Sequence, residues 1–250
     1  MIERQTSADR INQVINHPSV YPWVRGSLEG ELDLSNVISD TRNFALFGEH
    51  GGVIFKCLQP GIYEAHTQVV PEGRGSWTIK MVRAALQWMF TRTDALEIVT
   101  QVPRGNVAAL ALTRRVGFVF EFTNPKGWVK DGKHIESDIY GHRIQDWMRI
   151  APDLCSIGHH FHDQLEEKYR QIGRDEPSHA DDVVHDRYVG AAFAMVRGGQ
   201  PHKAQIFYNR WAALAGYEAM RVLSVNPMTI DIRDAIIVMN QNDFQVELCQ

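Results

Sequence analysis

The sequence predicts an α+β protein with a mixed, mostly antiparallel sheet flanked by helices, followed by a helical hairpin and a small β tail. Three observations carry this prediction. Short β-type runs separated by tight turns occupy residues 43–70, a helix and a further strand follow up to residue 102, and mainly helical patterning begins beyond residue 147. We therefore place one domain at residues 1–148 and a second domain at residues 149–250.

The N-terminal part combines a short helix, an irregular segment and three strands. Apolar residues at helical spacing predict the helix over residues 7–16, which Pro18 follows. Residues 21–42 carry Pro, Gly and charges without a period, which indicates a loop with one helical turn at residues 32–38. Turn-forming residues then separate strands at residues 43–48, 53–58 and 62–70.

The clearest helical pattern covers residues 76–91. Lys80, Arg83, Gln87 and Thr91 recur at intervals of three and four residues, and apolar side chains fill most positions between them. Because only one narrow stripe of this helix can face water, we expect it to pack against the sheet. A strand at residues 95–102 is predicted to follow it.

Sequence signals mark both ends of the next predicted helix. Asn106 is a favourable N-cap for residues 107–116, and Arg114 and Arg115 complement the helix dipole in the last turn. Gly117 provides the left-handed conformation that ends a helix. Two strands are then predicted at residues 118–124 and 134–144, joined by a loop rich in Pro, Gly and Lys.

The remaining sequence is mainly helical. Gly198 and Gly199 separate two helices that we expect to form a hairpin. The histidines of this region match no known ligand spacing, so we predict no metal site. The predicted elements are helices at residues 153–172, 183–197 and 201–215, a polar loop at 174–182 and short β-rich runs within 221–248.

The composition excludes several classes of protein. With 44% hydrophobic and 22% charged residues, most of the chain is too apolar for disorder, and no apolar run approaches the roughly 20 residues of a membrane span. The N-terminus lacks a signal-peptide core, and three cysteines without Cys-x-x-Cys spacing indicate neither a disulfide framework nor a zinc knuckle. A net charge of −4 without a basic stripe argues against a nucleic-acid partner. We expect a cytoplasmic protein.

One block, at residues 69–79, combines a strand end, a basic glycine-containing turn and a helix start. The unpaired amides of a helix's first turn, together with the helix dipole, favour an anion at such a place. The glycine spacing differs from the dinucleotide-binding fingerprint, and no Gly-Lys-Ser/Thr follows as in a P-loop. The block therefore predicts a phosphate-binding turn of another kind.

Through this block the chain resembles the GNAT superfamily of acetyl-CoA-dependent N-acetyltransferases, over about residues 44–144. In that family a strand leads into Arg-Gly-x-Gly-x-Gly/Ala, whose amides hold the pyrophosphate of coenzyme A. Arg74 and Gly75 match the start of this motif, whereas Trp77 and Ile79 stand where the family has small residues.

A second family motif pairs an Asn with a downstream Gly-Phe across a short helix. Asn106, Gly117 and Phe118 match it, and the nearest likeness is to the subgroup that acts on ribosomal-protein N-termini. The resemblance implies acetyl-CoA as cosubstrate. The residues that it implies for cofactor binding are Thr67, Val69 and Val70 for the pantetheine arm, Arg74, Gly75, Ser76, Trp77, Thr78 and Ile79 for the pyrophosphate, and Asn106 near the pantetheine.

Candidate catalytic residues lie on the strand at residues 62–70. Alternation places Glu64, His66 and Gln68 on one face, and Glu64 and His66 are the candidate bases; the alternative is that this face is merely solvated. The family often has a tyrosine that protonates the leaving thiolate where this chain has Thr113. Tyr140, predicted on a polar face of a later strand, is the substitute acid.

The resulting functional prediction is an N-acetyltransferase that moves an acetyl group directly to an amine or peptide acceptor in a ternary complex. No cysteine demands a covalent intermediate, although Cys57 lies on the adjacent strand. We expect the loops at residues 18–36 and 125–133 to form the acceptor pocket.

A second reading comes from a weaker resemblance to acetyltransferase-like proteins of tailed bacteriophages. It implies a degenerate cofactor site, marked by Trp77 and Ile79, in a head-assembly or virion-associated component. The acidic C-terminal region is then a docking module for another protein. Such a protein would be found in the host cytoplasm or the virion.

Overall fold

The computed structural model describes residues 2–151, together with residues 191, 194–195, 198–200 and 203. The chain divides into two compact units, the first comprising Met1–Met89 and Ala95–Trp147, and the second comprising Phe90–Asp94 and Met148–Gln250. The predicted domain boundary at residue 148 stays a prediction. Apart from the few positions just named, the predicted elements and histidines beyond residue 151 lie outside the described residues.

Seven strands and five α-helices make up the described part of the chain, with two short 3-10 helices at Tyr21–Trp23 and Pro71–Gly73. None of these helices is both long and apolar enough to cross a membrane. In chain order the elements are β1 (Glu3–Gln5), α1 (Asp9–Ile15), α2 (Ser35–Ser39), β2 (Phe44–Gly48), β3 (Gly51–Gln59), β4 (Ile62–Val69), α3 (Ser76–Arg92), β5 (Glu97–Pro103), α4 (Val107–Arg115), β6 (Val119–Lys130), β7 (Lys133–Arg143) and α5 (Ile144–Ile150).

The strands form one mixed sheet in the order β1-β2-β3-β4-β5-β7-β6. All neighbouring pairs are antiparallel except β4 and β5, which are parallel because α3 carries the chain across between them. This agrees with the predicted mixed, mostly antiparallel sheet. The parallel pair lies at the centre of the sheet, and the functional site is built around it.

Helix α1 and the segment after it pack on one face of the sheet. The apolar stripe of α1 meets the side chains that β2 and β3 direct to that face, and residues 24–38 add partly buried apolar side chains. The buried members of this cluster are Ile11, Val14, Ile15, Ala45, Phe47 and Ile54.

Helices α3 and α4 pack on the other face. A small cavity is lined by Val82 and Leu86 of α3, by Leu112 of α4 and the Val116 that follows it, and by Phe55 of β3. Helix α3 is deeply buried along its apolar side, as its narrow polar stripe predicts. The predicted helices at residues 7–16, 76–91 and 107–116 are confirmed within one or two residues at each end.

One predicted element was wrong, and two elements were not predicted. Residues 125–130 continue β6 instead of forming a loop, and two register shifts, at Phe120/Phe122 and Asn124/Trp128, accommodate the residues that break the ladder. The turn is instead Asp131-Gly132, both at positive φ. Strand β1 and helix α5 were not predicted.

Candidate functional site

The central parallel strands separate and leave a wedge between them. Pairing of β4 with β5 covers Ile62–Glu97, Tyr63–Ile98 and Glu64–Val99, and it ends there. At the point of separation the Thr100 Oγ1 donates a hydrogen bond to the carbonyl oxygen of Ala65, at 2.9 Å. Beyond Ala65, the edge of β4 that faces β5 has no strand partner among the described residues. Its backbone groups therefore remain available to a ligand.

A cleft of about 610 Å³ opens from this wedge, which we call the wedge cleft. Its volume lies within the range typical of small-molecule sites. One wall is β4 from Ala65 to Val69, and the opposite wall is the end of β5 with the start of α4. The turn before α3 lines one end through Arg74 and Gly75, and the first turn of α3 lines it through Thr78.

The geometry of this turn depends on two glycines. A Cβ at the buried Gly73 would lie 2.5 Å from the His50 Cβ and 2.8 Å from the Val69 Cγ1, so no larger residue fits. Gly75 has φ +99°, a conformation that side chains other than hydrogen disfavour. The buried Thr78 Oγ1 donates to the Gly73 carbonyl at 2.6 Å and ties the turn to the helix. The turn is therefore held rigidly in front of the first amides of α3.

The indole of Trp77 lies away from the wedge cleft. Its ring packs edge-on against His50, with 5.1 Å between ring centres, and Trp77 does not line the cleft. Ile79, the other departure from the family motif, does line it. The large side chain at position 77 therefore does not fill the wedge cleft.

Most of the predicted cofactor residues surround the wedge cleft. Those that line it are Thr67, Val69, Arg74, Gly75, Thr78, Ile79 and Asn106. Val70, Ser76 and Trp77 do not line it, and Val70 packs instead against the apolar cluster beneath α1. Asn106 is the N-cap of α4, as predicted: its Oδ1 accepts a hydrogen bond from the Ala109 amide at 3.1 Å.

The predicted bases Glu64 and His66 form a pair. The Glu64 Oε2 lies 3.3 Å from the His66 Nε2, and both side chains keep partial access to solvent. The hydrogen bond from His66 lowers the pKa of the Glu64 carboxyl below its usual value, although partial burial opposes this shift. Glu64 is therefore an anion at neutral pH, and its carboxylate orients the His66 ring.

Glu64 and His66 line a second cavity of about 390 Å³. We call it the acceptor pocket, after the pocket that the sequence predicts from two of the segments that line it. His66, Gln68 and Gln101 line both the acceptor pocket and the wedge cleft, so the two meet at these side chains. Both of the segments predicted to form an acceptor pocket contribute to it. The apolar and aromatic lining residues are Ile15, Trp23, Val24, Leu32, Leu34, Val37, Ile54 and Trp128.

Tyr140 occupies a different environment from the one predicted. It is 1% exposed, and its ring packs against Phe120. Arg114 donates a hydrogen bond from Nε to its hydroxyl at 3.2 Å. The strand face expected to be polar is buried at Asp138, Tyr140 and His142, and Tyr140 lines neither cavity. The geometry gives no support to its role as an acid, and Cys57 also lines neither cavity.

Several lining residues were not predicted as site residues. Gln68 was on the predicted face beside His66, so alternation along the strand was a usable signal. Trp23 and Trp128 come from segments about a hundred residues apart, and no local pattern relates them. Within the described residues, no group of three or more His, Cys, Asp or Glu side chains has the arrangement of a metal site.

Comparison with known proteins identifies the fold. No family model and no curated protein matches the chain. Among solved structures, spermidine N-acetyltransferase from Vibrio cholerae, in complex with CoA and spermine, matches with a TM-score of 0.51 and 16% identity, over 59% of this chain and 97% of that one. Ribosomal-protein-alanine N-acetyltransferase from Brucella melitensis matches with a TM-score of 0.50 and 19% identity, over 58% and 99%. The fold is therefore that of the GNAT acetyltransferases.

Proposed function

We propose that the protein is an N-acetyltransferase that transfers an acetyl group from acetyl-CoA directly to an amine. The observation that carries the proposal is the wedge between β4 and β5, which ends at a rigid glycine turn and a helix start. A slender ligand arm fits between separated strands, and a diphosphate fits the helix start. Acetyl-CoA has both parts, and it supplies an acetyl group activated as a thioester.

Several residues of this chain are suited to hold acetyl-CoA. The free edge of β4 at Thr67 and Val69 offers backbone groups to the pantetheine arm, and Asn106 lines the opposite wall. The amides at the start of α3 and the guanidinium of Arg74 are suited to the diphosphate. The position of the Trp77 indole against His50 supports this assignment, because the indole does not fill the wedge cleft.

The Glu64–His66 pair is suited to accept the proton that an amine loses during transfer. An acceptor amine enters mostly as an ammonium ion, and it becomes a nucleophile only after it gives up a proton. His66 takes that proton directly or through water, and the Glu64 carboxylate stabilises the imidazolium. A thiolate leaves without a strong acid, since the ordinary thiol pKa is about 8.5. The buried Tyr140 is therefore not required.

A degenerate virion component was the alternative prediction. It rested on a weaker resemblance, and it takes Trp77 and Ile79 as marks of a degenerate cofactor site. Trp77 lies outside the wedge cleft, and the cleft has room for a ligand despite Ile79. No observation favours the phage reading, and the catalytic proposal is the better supported one.

Titration and turnover together test the proposed function. We expect acetyl-CoA to bind with micromolar affinity in calorimetry, and thiol to be released when an amine is added. Glu64→Gln and His66→Ala should cut turnover at least tenfold while the acetyl-CoA affinity changes little, because neither residue belongs to the diphosphate end of the cleft. His134→Ala, an exposed position on β7, is the control. Failure to bind acetyl-CoA at millimolar concentration would refute the proposal.

A further inference from the structure

The acceptor pocket has a chemistry that restricts the amine it takes, an inference that rests on the proposed function. We propose that its acceptor is a small primary monoamine with an aromatic or branched apolar body, rather than a polyamine. The body packs among the apolar lining residues, and the nitrogen lies at His66 and Gln68, where the pocket meets the wedge cleft.

The shape of the lining supports the apolar body. Most described residues that line the pocket are aliphatic or aromatic, and they come from α1, from α2 and the loop before it, from β3 and from β6. Trp23 and Trp128 form an aromatic wall: their rings lie nearly parallel, at 17°, with 6.4 Å between centres. Such a wall attracts another ring or a branched alkyl group by dispersion and by removing apolar surface from water.

The charges around the pocket oppose a polyamine. The carboxylate among the described lining residues is Glu64, and it is already paired with His66 at 3.3 Å. Lys56 lines the pocket, and the Lys130 ammonium lies 5.2 Å from the Trp23 ring centre and 5.7 Å from that of Trp128. A polyamine would bring its second or third ammonium group close to these lysines, and the described lining residues offer it no further carboxylate as a partner.

Acidic residues do occur near the pocket, but they do not line it. Glu29, Glu31 and Asp33 belong to the loop that supplies Leu32 and Leu34. The Asp33 carboxylate accepts hydrogen bonds from Asn12 and from the amide and hydroxyl of Ser35. These bonds hold the Asp33 carboxylate on the loop rather than directing it at a ligand.

A buried polar atom marks the place of the nitrogen. The side chain of Gln68 is 5% exposed and lines both cavities, and its Oε1 has no hydrogen-bond partner among the described residues. A buried carbonyl oxygen without a donor is destabilising, so a donor that binds there gains the bond and removes that cost. An amine N–H is such a donor. Beside it, His66 is exposed enough to take the proton.

A binding experiment on the full chain tests the pocket independently of turnover. Phenethylamine, ethylamine and spermidine are compared by saturation-transfer NMR and calorimetry, and by thiol release with acetyl-CoA. We expect phenethylamine to be at least tenfold better than the other two in affinity and in kcat/KM. Spermidine equal to or better than phenethylamine would overturn the inference.

Three variants and one control variant test which side chains select the acceptor. Trp128→Ala should weaken phenethylamine roughly tenfold, whereas Val129→Ala, the exposed neighbour on β6 that does not line the pocket, should change nothing. Gln68→Met, which keeps the size but removes the carbonyl, should raise the KM for phenethylamine. Lys56→Glu should improve spermidine relative to phenethylamine. If Trp128→Ala and Val129→Ala behave alike, the aromatic wall does not bind the acceptor and the inference is wrong.

The outcomes separate this inference from the proposed function. If acetyl-CoA does not bind, the proposed function fails, and the amine-binding data still decide whether the pocket prefers an apolar amine. If acetyl-CoA binds and spermidine is the preferred acceptor, the proposed function stands and the inference about substrate class fails.

Discussion

Replacement of Arg74 by Gln tests whether the turn before α3 holds a diphosphate. Arg74 is exposed at the end of the wedge cleft, and its Nη2 donates to the Ser19 carbonyl at 3.2 Å. This contact orients the guanidinium without neutralising it, so its charge is available to an anionic ligand. The change to Gln removes the charge and keeps a polar side chain, although a shorter one.

The expected loss follows from the exposure of Arg74. Two unit charges at 4 Å interact by about 1 kcal/mol in water and about 4 kcal/mol at an effective dielectric constant of 20. Because Arg74 is at the rim of the cleft, we take the lower part of this range, about 1 to 2 kcal/mol. That corresponds to roughly 5- to 30-fold weaker binding of acetyl-CoA. The loss should shrink as salt concentration rises.

The assay compares two ligands that differ only at the diphosphate end. Calorimetry with acetyl-CoA should show the loss, whereas S-acetylpantetheine, which lacks the diphosphate, should bind the variant as it binds the original protein. Lys80→Gln is the matched control, an exposed charge on α3 that does not line the cleft. Equal losses for both ligands would mean that Arg74 acts only by supporting the turn. Unchanged acetyl-CoA affinity would refute the placement of the diphosphate.

Three further predictions concern the frame of the site. Gly73→Ala should destabilise the turn and weaken acetyl-CoA binding, because its methyl group would lie 2.5 Å from the His50 Cβ. Gly105→Ala is the control for stability alone: the nearest atom would be 3.9 Å from its methyl group, so the denaturation midpoint should not change. Asn106→Ala should cost about 1 kcal/mol of unfolding free energy through loss of the cap, and Asn106→Asp should restore the stability; if Ala leaves denaturant midpoints unchanged, the cap is not stabilising. Burial lowers the pKa of His142 to about 4 in the folded protein. In the unfolded chain this pKa returns to about 6.5, so between these two pH values the unfolded state binds the proton more tightly. Stability should therefore fall by up to about 3 kcal/mol as pH drops from 6.5 to 4, and His142→Phe should flatten that slope in urea titrations.

Local sequence patterns were sufficient for most of the elements that frame the wedge cleft. The narrow polar stripe of α3 predicted that the helix is buried, and Asn106 and Gly117 marked both ends of α4. These signals work because capping, helical amphipathicity and strand alternation depend on residues within a few positions of one another. The pairing of Glu64 with His66 on one strand face follows from the same short-range geometry.

Features that depend on partners far away in the sequence were not predictable in this way. Residues 125–130 read as a loop because Pro125 and Gly127 disfavour a strand, yet pairing with β7 and two register shifts keep the chain extended. Tyr140 lies on a strand with alternating polar residues, but packing against Phe120 and the hydrogen bond from Arg114 turn that face into core.

Most of the strands and helices, the glycine turn before α3 and the position of Glu64 and His66 on one strand face follow from the sequence, since each is encoded in a short stretch of chain. Three features became visible only in the folded chain: β4 and β5 separate after Glu64, the Trp77 indole packs on His50, and Trp23 and Trp128 form one wall. The physical reason is that these features arise from contacts between segments far apart in the chain. Their energies depend on how the whole sheet is assembled and not on any local pattern.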